Sequence, residues 1–169
     1  QEAPTSKSVR FKWREHVTKT VSENGEALEK FCNALKDGDS KVVEQSLNNY
    51  LKKTISIWDT FVKKQMKENF YHGILLGILG FQQNWSVSSN KESGDGYSDI
   101  LIETEDQETG IIIEIKYAET GNLEAVSEEA LKQIEDRRYE EQLLEEGVEH
   151  ILKYGIAFYK KKCKVMVVK

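Results

Sequence analysis

The stretch Tyr97–Tyr117, YSDILIETEDQETGIIIEIKY, decides the fold. Two isoleucine-rich runs, 97–103 and 110–117, flank a polar break. β-Branched runs of this length around a polar turn read as the two strands of one hairpin. Both are apolar on both faces, as strands are at the centre of a sheet covered on two sides. With the turn centred on Asp106-Gln107, Asp99 falls opposite Glu114. Opposed side chains have Cβ atoms about 4.5–5.5 Å apart, and residues two apart share a face. Lys116 therefore lies beside Glu114, with Ile115 turned away. One face of an otherwise apolar hairpin holds Asp99, Glu114 and Lys116.

Two carboxylates opposed in a poorly hydrated place repel, and desolvation adds to the cost. A divalent cation removes both penalties. The donors on offer are oxygens, from Asp99, Glu114 and the Ile115 carbonyl, and they select a hard ion, Mg²⁺ or Mn²⁺. Such an ion polarises a phosphoryl oxygen and lowers the pKa of bound water. Lys116 is placed to hold that water and to offset developing negative charge. An ordinary cross-strand salt-bridge cluster would carry the same residues, and geometry alone leaves both readings open.

Working outward, the period changes from two to 3.6 residues. Upstream, Thr60–Leu79 reads as a helix with Phe61, Met66, Phe70, Ile74 and Leu75 on one side. Gly73, Gly77 and Gly80 each cost up to ~1 kcal/mol of helix propensity, which close backbone approach would repay. Farther upstream, Glu26–Leu35 is a short helix stopped at Asp37-Gly38, and Ser40 is the expected cap of the next, which carries Val43, Leu47, Tyr50 and Leu51. Phe11, Trp13 and Val17 could line one more helix face. Between the long helix and the hairpin, Trp85 and Val87 alternate with polar residues. Downstream, Leu123–Tyr139 is helical with a further turn or two to Gly147. His150–Tyr159 and Cys163–Val168 are closing strands around Lys160, Lys161 and Lys162. The expected architecture is α/β, a mixed central sheet flanked by helices. Residues 1–59 form a helical extension packed on or leading into a core of residues 60–169.

A chain of 169 residues, 38% hydrophobic and 31% charged, fits one soluble domain and excludes disordered and fibrous classes. The longest apolar run, Ile74–Phe81, is far short of the ~20 residues that span a membrane. From the polar amino end no secretory signal is expected. Two distant cysteines, Cys32 and Cys163, suit a reducing, cytoplasmic compartment. A first residue of Gln1 fits a piece of something longer. The net charge of -5 hides blocks: residues 119–149 carry 3 basic and 11 acidic side chains, and residues 150–169 carry 6 basic and none acidic. Such blocks either steer a polyanion to one face or solvate and pair with each other. Gly94-Asp95-Gly96 is too acidic for a phosphate-cradling loop, which disfavours a small-molecule phosphohydrolase.

Asp99 followed by Glu114-Ile115-Lys116 resembles the PD-(D/E)xK nuclease superfamily, whose sites sit on a bent hairpin behind an amino-terminal helix. Five stretches are similar to nuclease-like domains found carboxy-terminal to AAA-ATPase-like modules in bacterial and archaeal proteins. They are 68–72, 92–99, 110–116, 129–134 and 154–158, and the resemblance covers roughly residues 38–169. It implies a restriction-endonuclease-like core and metal-dependent hydrolysis of nucleic acid, DNA foremost, as an endonuclease or nickase. It implies that Glu68 joins Asp99, Glu114 and Ile115 around Mg²⁺ or Mn²⁺, and that Gln133 on the following helix serves the site with Lys116. His72, one turn after Glu68, is either a site residue or a hydrogen-bonded core histidine. Ser98 stands where the superfamily's name has proline, and the chemistry needs only Asp99. As partners the resemblance implies nucleic acid and an upstream AAA-ATPase-like module, without a membrane, and it leaves room for a homo-oligomer. The alternative function is a regulatory or assembly module of such an ATPase, with little turnover. Trp85, Tyr154 and Phe158 are expected in the core.

Overall fold

The computed structural model describes residues 25–54, 64–91, 97–136 and 139–169. The readings on Phe11, Trp13, Val17, residues 60–63, Gly94–Gly96 and residues 137–138 lie outside those described. Helices α1 (Gly25–Asp37), α2 (Ser40–Thr54) and α3 (Lys64–Leu79) precede the strands β1 (Ser86–Lys91), β2 (Tyr97–Glu103) and β3 (Thr109–Tyr117). Helices α4 (Leu123–Asp136) and α5 (Tyr139–Glu145) follow, then β4 (His150–Tyr159) and β5 (Lys162–Val168). The strands form one sheet in the order β1-β2-β3-β4-β5. β3 and β4 are parallel and the other neighbours antiparallel, so the sheet is mixed. A parallel pair needs a crossover of a dozen or more residues, which α4 and α5 supply.

The hairpin has the expected register, with Asp99 opposite Glu114 and Glu103 opposite Gly110. Its two-sided apolarity divides between two cores. Ile100, Ile102, Ile111, Ile113 and Ile115 face α1, α2 and α3, together with Tyr154, Ile156 and Phe158. Leu101 and Ile112 face α4 and α5, against Ile134, Leu143 and Val148. Trp85, Tyr154 and Phe158 are buried, as the sequence predicts. The closed end of the hairpin is tied down by Asp106. Its Oδ1 accepts from Thr104 Oγ1 (2.7 Å) and from the Glu108 and Thr109 amides (2.9 and 3.0 Å). Lys36 of α1 reaches Glu105 at 2.7 Å and Asp106 at 2.9 Å.

Three local expectations are corrected. The cap of α2 is Asp39, whose Oδ1 accepts from Val42 N at 3.2 Å, while Ser40 is the first helical residue. Gly38, at φ +74, ends α1 and lets the Asp39 amide bond back to the Ala34 carbonyl at 2.9 Å. That geometry makes the next residue the one outside the helix, where a cap must sit. The basic turn is Lys160-Lys161, since Lys162 already pairs with Tyr159 in β5. Close approach does not explain Gly73, which is exposed with nothing within 4 Å of a would-be Cβ, nor Gly80, which meets only carbonyls of its own helix. A glycine that does permit close approach of another backbone is Gly155 in β4.

Helix α2 seals the outer edge of β5. Asn48 accepts from Cys163 N at 2.8 Å and donates to the Cys163 carbonyl at 3.4 Å, and Glu44 Oε1 accepts from Val165 N at 2.9 Å. Tyr154, wholly buried, donates to the Leu35 carbonyl at 2.6 Å. Among the described residues no helix is long and apolar enough to cross a membrane.

Candidate active site

The registered β2–β3 ladder ends at the pair Asp99 and Glu114, 0% and 1% exposed. Leu101 and Ile112 lie two residues back on their respective strands and pack under α4 and α5. By the two-residue period, Asp99, Glu114 and Lys116 therefore share that face. On the other side of β2, Asp99 pairs with Asn90, and the register shifts between Asn90 and Lys91. Such a bulge bends a strand and terminates regular pairing. Ile115 follows the last registered pair, where β2 and β3 part.

Gly155 pairs with Glu114 across the parallel β3–β4 ladder. A Cβ there would strike the Ser127 carbonyl and lie 3.0 Å from Leu131 N. Helix α4 thus rests directly on β4, held by Ser127 Oγ donating to the Gly155 carbonyl at 2.7 Å. This approach brings Glu129 Oε1 within 3.7 Å of Lys116 Nζ. Gln133 is one turn after Glu129 on the same edge of α4 and is half-buried. Lys116 is two residues beyond Glu114 on β3, so that one-turn step along α4 runs back toward the level of the carboxylate pair.

From the opposite face, α3 closes the open end of the hairpin. The Ala118 amide bonds to Phe158 of β4 at 2.8 Å, so the preceding amide, Tyr117, points toward the side β2 occupies farther along. Glu68 Oε1 accepts from it at 3.1 Å. His72, one turn on, has Nε2 2.9 Å from Ser89 Oγ of β1, and its ring also donates to the Asp99 main-chain carbonyl. Burial lowers its pKa, more than that carbonyl raises it, so the ring is neutral. His72 is thus a buried, hydrogen-bonded histidine that also touches the backbone of Asp99. The sequence reading assigned no part to Glu129 or Ser127. The signal available was Glu129 four residues before Gln133, and a single serine on the apolar stripe of an acidic helix.

The donors suit a hard cation. Among the described residues no group of three or more His, Cys, Asp or Glu side chains is arranged so that it could hold a metal ion. Asp99 and Glu114 are thus a two-carboxylate set, and the Glu68 carboxylate is bonded at the end of β3. Mg²⁺ keeps several waters and is commonly held by one or two carboxylates plus substrate phosphate, whereas a structural zinc site demands four nitrogen or sulfur ligands. The residues fit the former.

A helix-flanked mixed sheet, with an aspartate and a Glu-Ile-Lys run meeting where its central hairpin opens, defines the class of nuclease-like α/β domains. The sequence profile of the PD-(D/E)XK nuclease superfamily matches residues 66–168, and the chain belongs to that superfamily. The match begins in α3, so α1 and α2 lie outside it. No curated protein matches the chain.

Proposed function

We propose that the chain hydrolyses phosphodiester bonds of nucleic acid, DNA foremost, as an endonuclease or nickase using Mg²⁺ or Mn²⁺. The observation that carries this reading is the buried pair Asp99 and Glu114, in register at the open end of the hairpin with Lys116 on the same face. Asp99, Glu114 and the Ile115 carbonyl would hold the ion, and Glu68, which accepts from the Tyr117 amide in this structure, would have to turn from it to complete the oxygen set. When bound, the ion supplies Lewis acidity toward the phosphate and lowers the pKa of water. Lys116 orients the attacking water and offsets charge that develops on the phosphate. Glu129, 3.7 Å from the ammonium, restrains Lys116. Gln133, one turn after Glu129 on α4, would serve the same site. His72 fixes the Asp99 backbone through its carbonyl. Two free, buried thiols, Cys32 and Cys163, support a reducing, cytoplasmic setting, and an upstream AAA-ATPase-like module remains the proposed context.

The test is cleavage of labelled DNA and RNA across a Mg²⁺ and Mn²⁺ series, using wild type, Asp99→Asn, Glu114→Gln and Lys116→Ala. All three variants should lose cleavage, by ~10²-fold or more if each removes a transition-state interaction. Persistent metal-dependent cutting by Asp99→Asn would overturn the assignment. One observation favours a second reading, a nuclease-like module of an ATPase with little turnover: no third acidic or imidazole ligand joins the carboxylate pair among the described residues. A wild type that binds DNA and metal but never cuts, alone or joined to its ATPase, would establish that alternative.

A further inference from the structure

Outside the carboxylate pair, the most unusual surface lies at the rim where β3 and β4 end. Lys67 Nζ of α3 sits 4.6 Å from the centre of the Tyr117 ring. The Tyr117 and Tyr159 rings are 6.0 Å apart, and Lys160 Nζ lies 5.1 Å from the Tyr159 ring. The order lysine, tyrosine, tyrosine, lysine thus runs unbroken from α3 to the β4–β5 turn. Its frame is rigid. Tyr71 of α3 stacks on Phe158 at 4.4 Å and donates to the Lys160 carbonyl at 2.6 Å, joining helix and turn. Lys160 is held at φ 51, and Lys162, exposed, is the registered partner of Tyr159. Tyr117 directly follows Lys116 at the open end of β3, but its ring turns to the α3 face while Lys116 turns toward α4, so the strip reaches the carboxylate site only around the end of the strand. The helical crossover beside it is the acidic block, with Glu124, Glu128, Glu129 and Glu135 exposed on α4.

We propose that this rim is the track on which a nucleic-acid backbone lies as it enters the site, phosphates meeting Lys67, Lys160 and Lys162 and a sugar or base resting against Tyr159. The identity of the ligand rests on the nuclease reading above. The placement rests on the geometry of the strip. Tyr117 is buried and backs the strip while Tyr159 is partly exposed, and an aromatic face flanked by cations suits a chain that alternates phosphates with flat bases. Carboxylates on α4 repel the same polyanion, so it is confined to one side of Lys116.

The test separates docking from cutting by measuring binding without metal. Full-length wild type is titrated with fluorescent single- and double-stranded DNA and RNA in EDTA across a salt series. Lys67→Gln/Lys160→Asn removes two counter-charges, and asparagine tolerates the left-handed backbone at position 160. The variant should bind more weakly, by about tenfold per lysine near 0.1 M salt, and its log–log salt slope should fall by about two. Lys132→Gln, exposed on α4, should change neither quantity. Should the double variant melt early, Lys162→Gln gives the same reading with a slope change of about one. The DNA and RNA arms identify which polymer is held. An unchanged affinity and slope in the strip variants, or a wild type that binds no nucleic acid at low salt, overturns the proposal. A wild type that shows the slope yet never cuts keeps the track and removes the nuclease reading.

Discussion

Asp99 and Glu114 sit opposed and almost wholly buried, so charging both would set part of the folding energy against their mutual repulsion. Asp99→Asn and Glu114→Gln should therefore raise the melting temperature of the metal-free protein, by about 2–4 °C if ~1 kcal/mol is relieved. Adding Mg²⁺ or Mn²⁺ should stabilise wild type by ~2.7 kcal/mol at a hundredfold excess over Kd and leave the variants unmoved. Thermal melts with and without metal check both outcomes. Asp106 makes the opposite case, a carboxylate the fold wants charged. The Thr104 hydroxyl, Lys36 and the Glu108 amide hold its pKa well below the usual carboxylate range. Lys36 does the same to Glu105, more mildly. A pKa depressed on folding contributes stability that is complete above the unfolded value near 4 and is lost as pH falls toward the folded one. Denaturant midpoints of wild type should thus decline as pH drops from about 5 toward 2. Asp106→Asn, which keeps an oxygen acceptor but no charge, should show a shallower decline.

At the scale of elements, the approach of α4 to β4 decides where Glu129 and Gln133 lie. Gly155→Ala places a methyl against the Ser127 carbonyl and the Leu131 amide, which are backbone atoms that cannot turn aside. It should cost ~1–3 kcal/mol and displace α4 from Lys116, lowering cleavage more than a surface change of equal destabilisation would. Denaturation paired with single-turnover cleavage checks this. The register of the hairpin was legible in the sequence, because with both faces apolar the polar turn centred on Asp106-Gln107 is what sets which residues oppose. The contact of Glu68 with Tyr117 N was not, since it depends on where β2 stops, and no local pattern records that. Nor was the Asp39 cap, because Ser40 is an equally good capping residue and only the Gly38 turn chooses between them. Gly73 and Gly80 of α3 drew attention for their helix cost, while Gly155, hidden in an ordinary strand, is the one whose Cβ would strike the backbone of another element.

In the whole molecule, α1 and α2 lie outside the superfamily match yet share the larger core with the sheet. A fragment limited to residues 66–168 loses the cover over Tyr154 and Val165, and with it the Asn48 and Glu44 bonds to β5. It should bind a hydrophobic dye and melt without a cooperative transition, whereas the chain from residue 25 should unfold in one step. Asn48→Ala in the intact chain should cost ~1–3 kcal/mol, since the Cys163 amide is left without its acceptor. Residues 25–51 carried helical periodicity in the sequence, but nothing in it said which strand they would cover, because that pairing spans more than a hundred residues. The seal on β5 has a bearing on assembly. A sheet grows into a fibre only when each copy offers two sticky borders, one to receive and one to give. Among the described residues, side chains of the same chain occupy the β5 border, and β1 is the border with no further strand paired to it. Copies that met along β1 would consume both remaining borders in a single two-fold encounter, so self-association through this sheet ends at a pair.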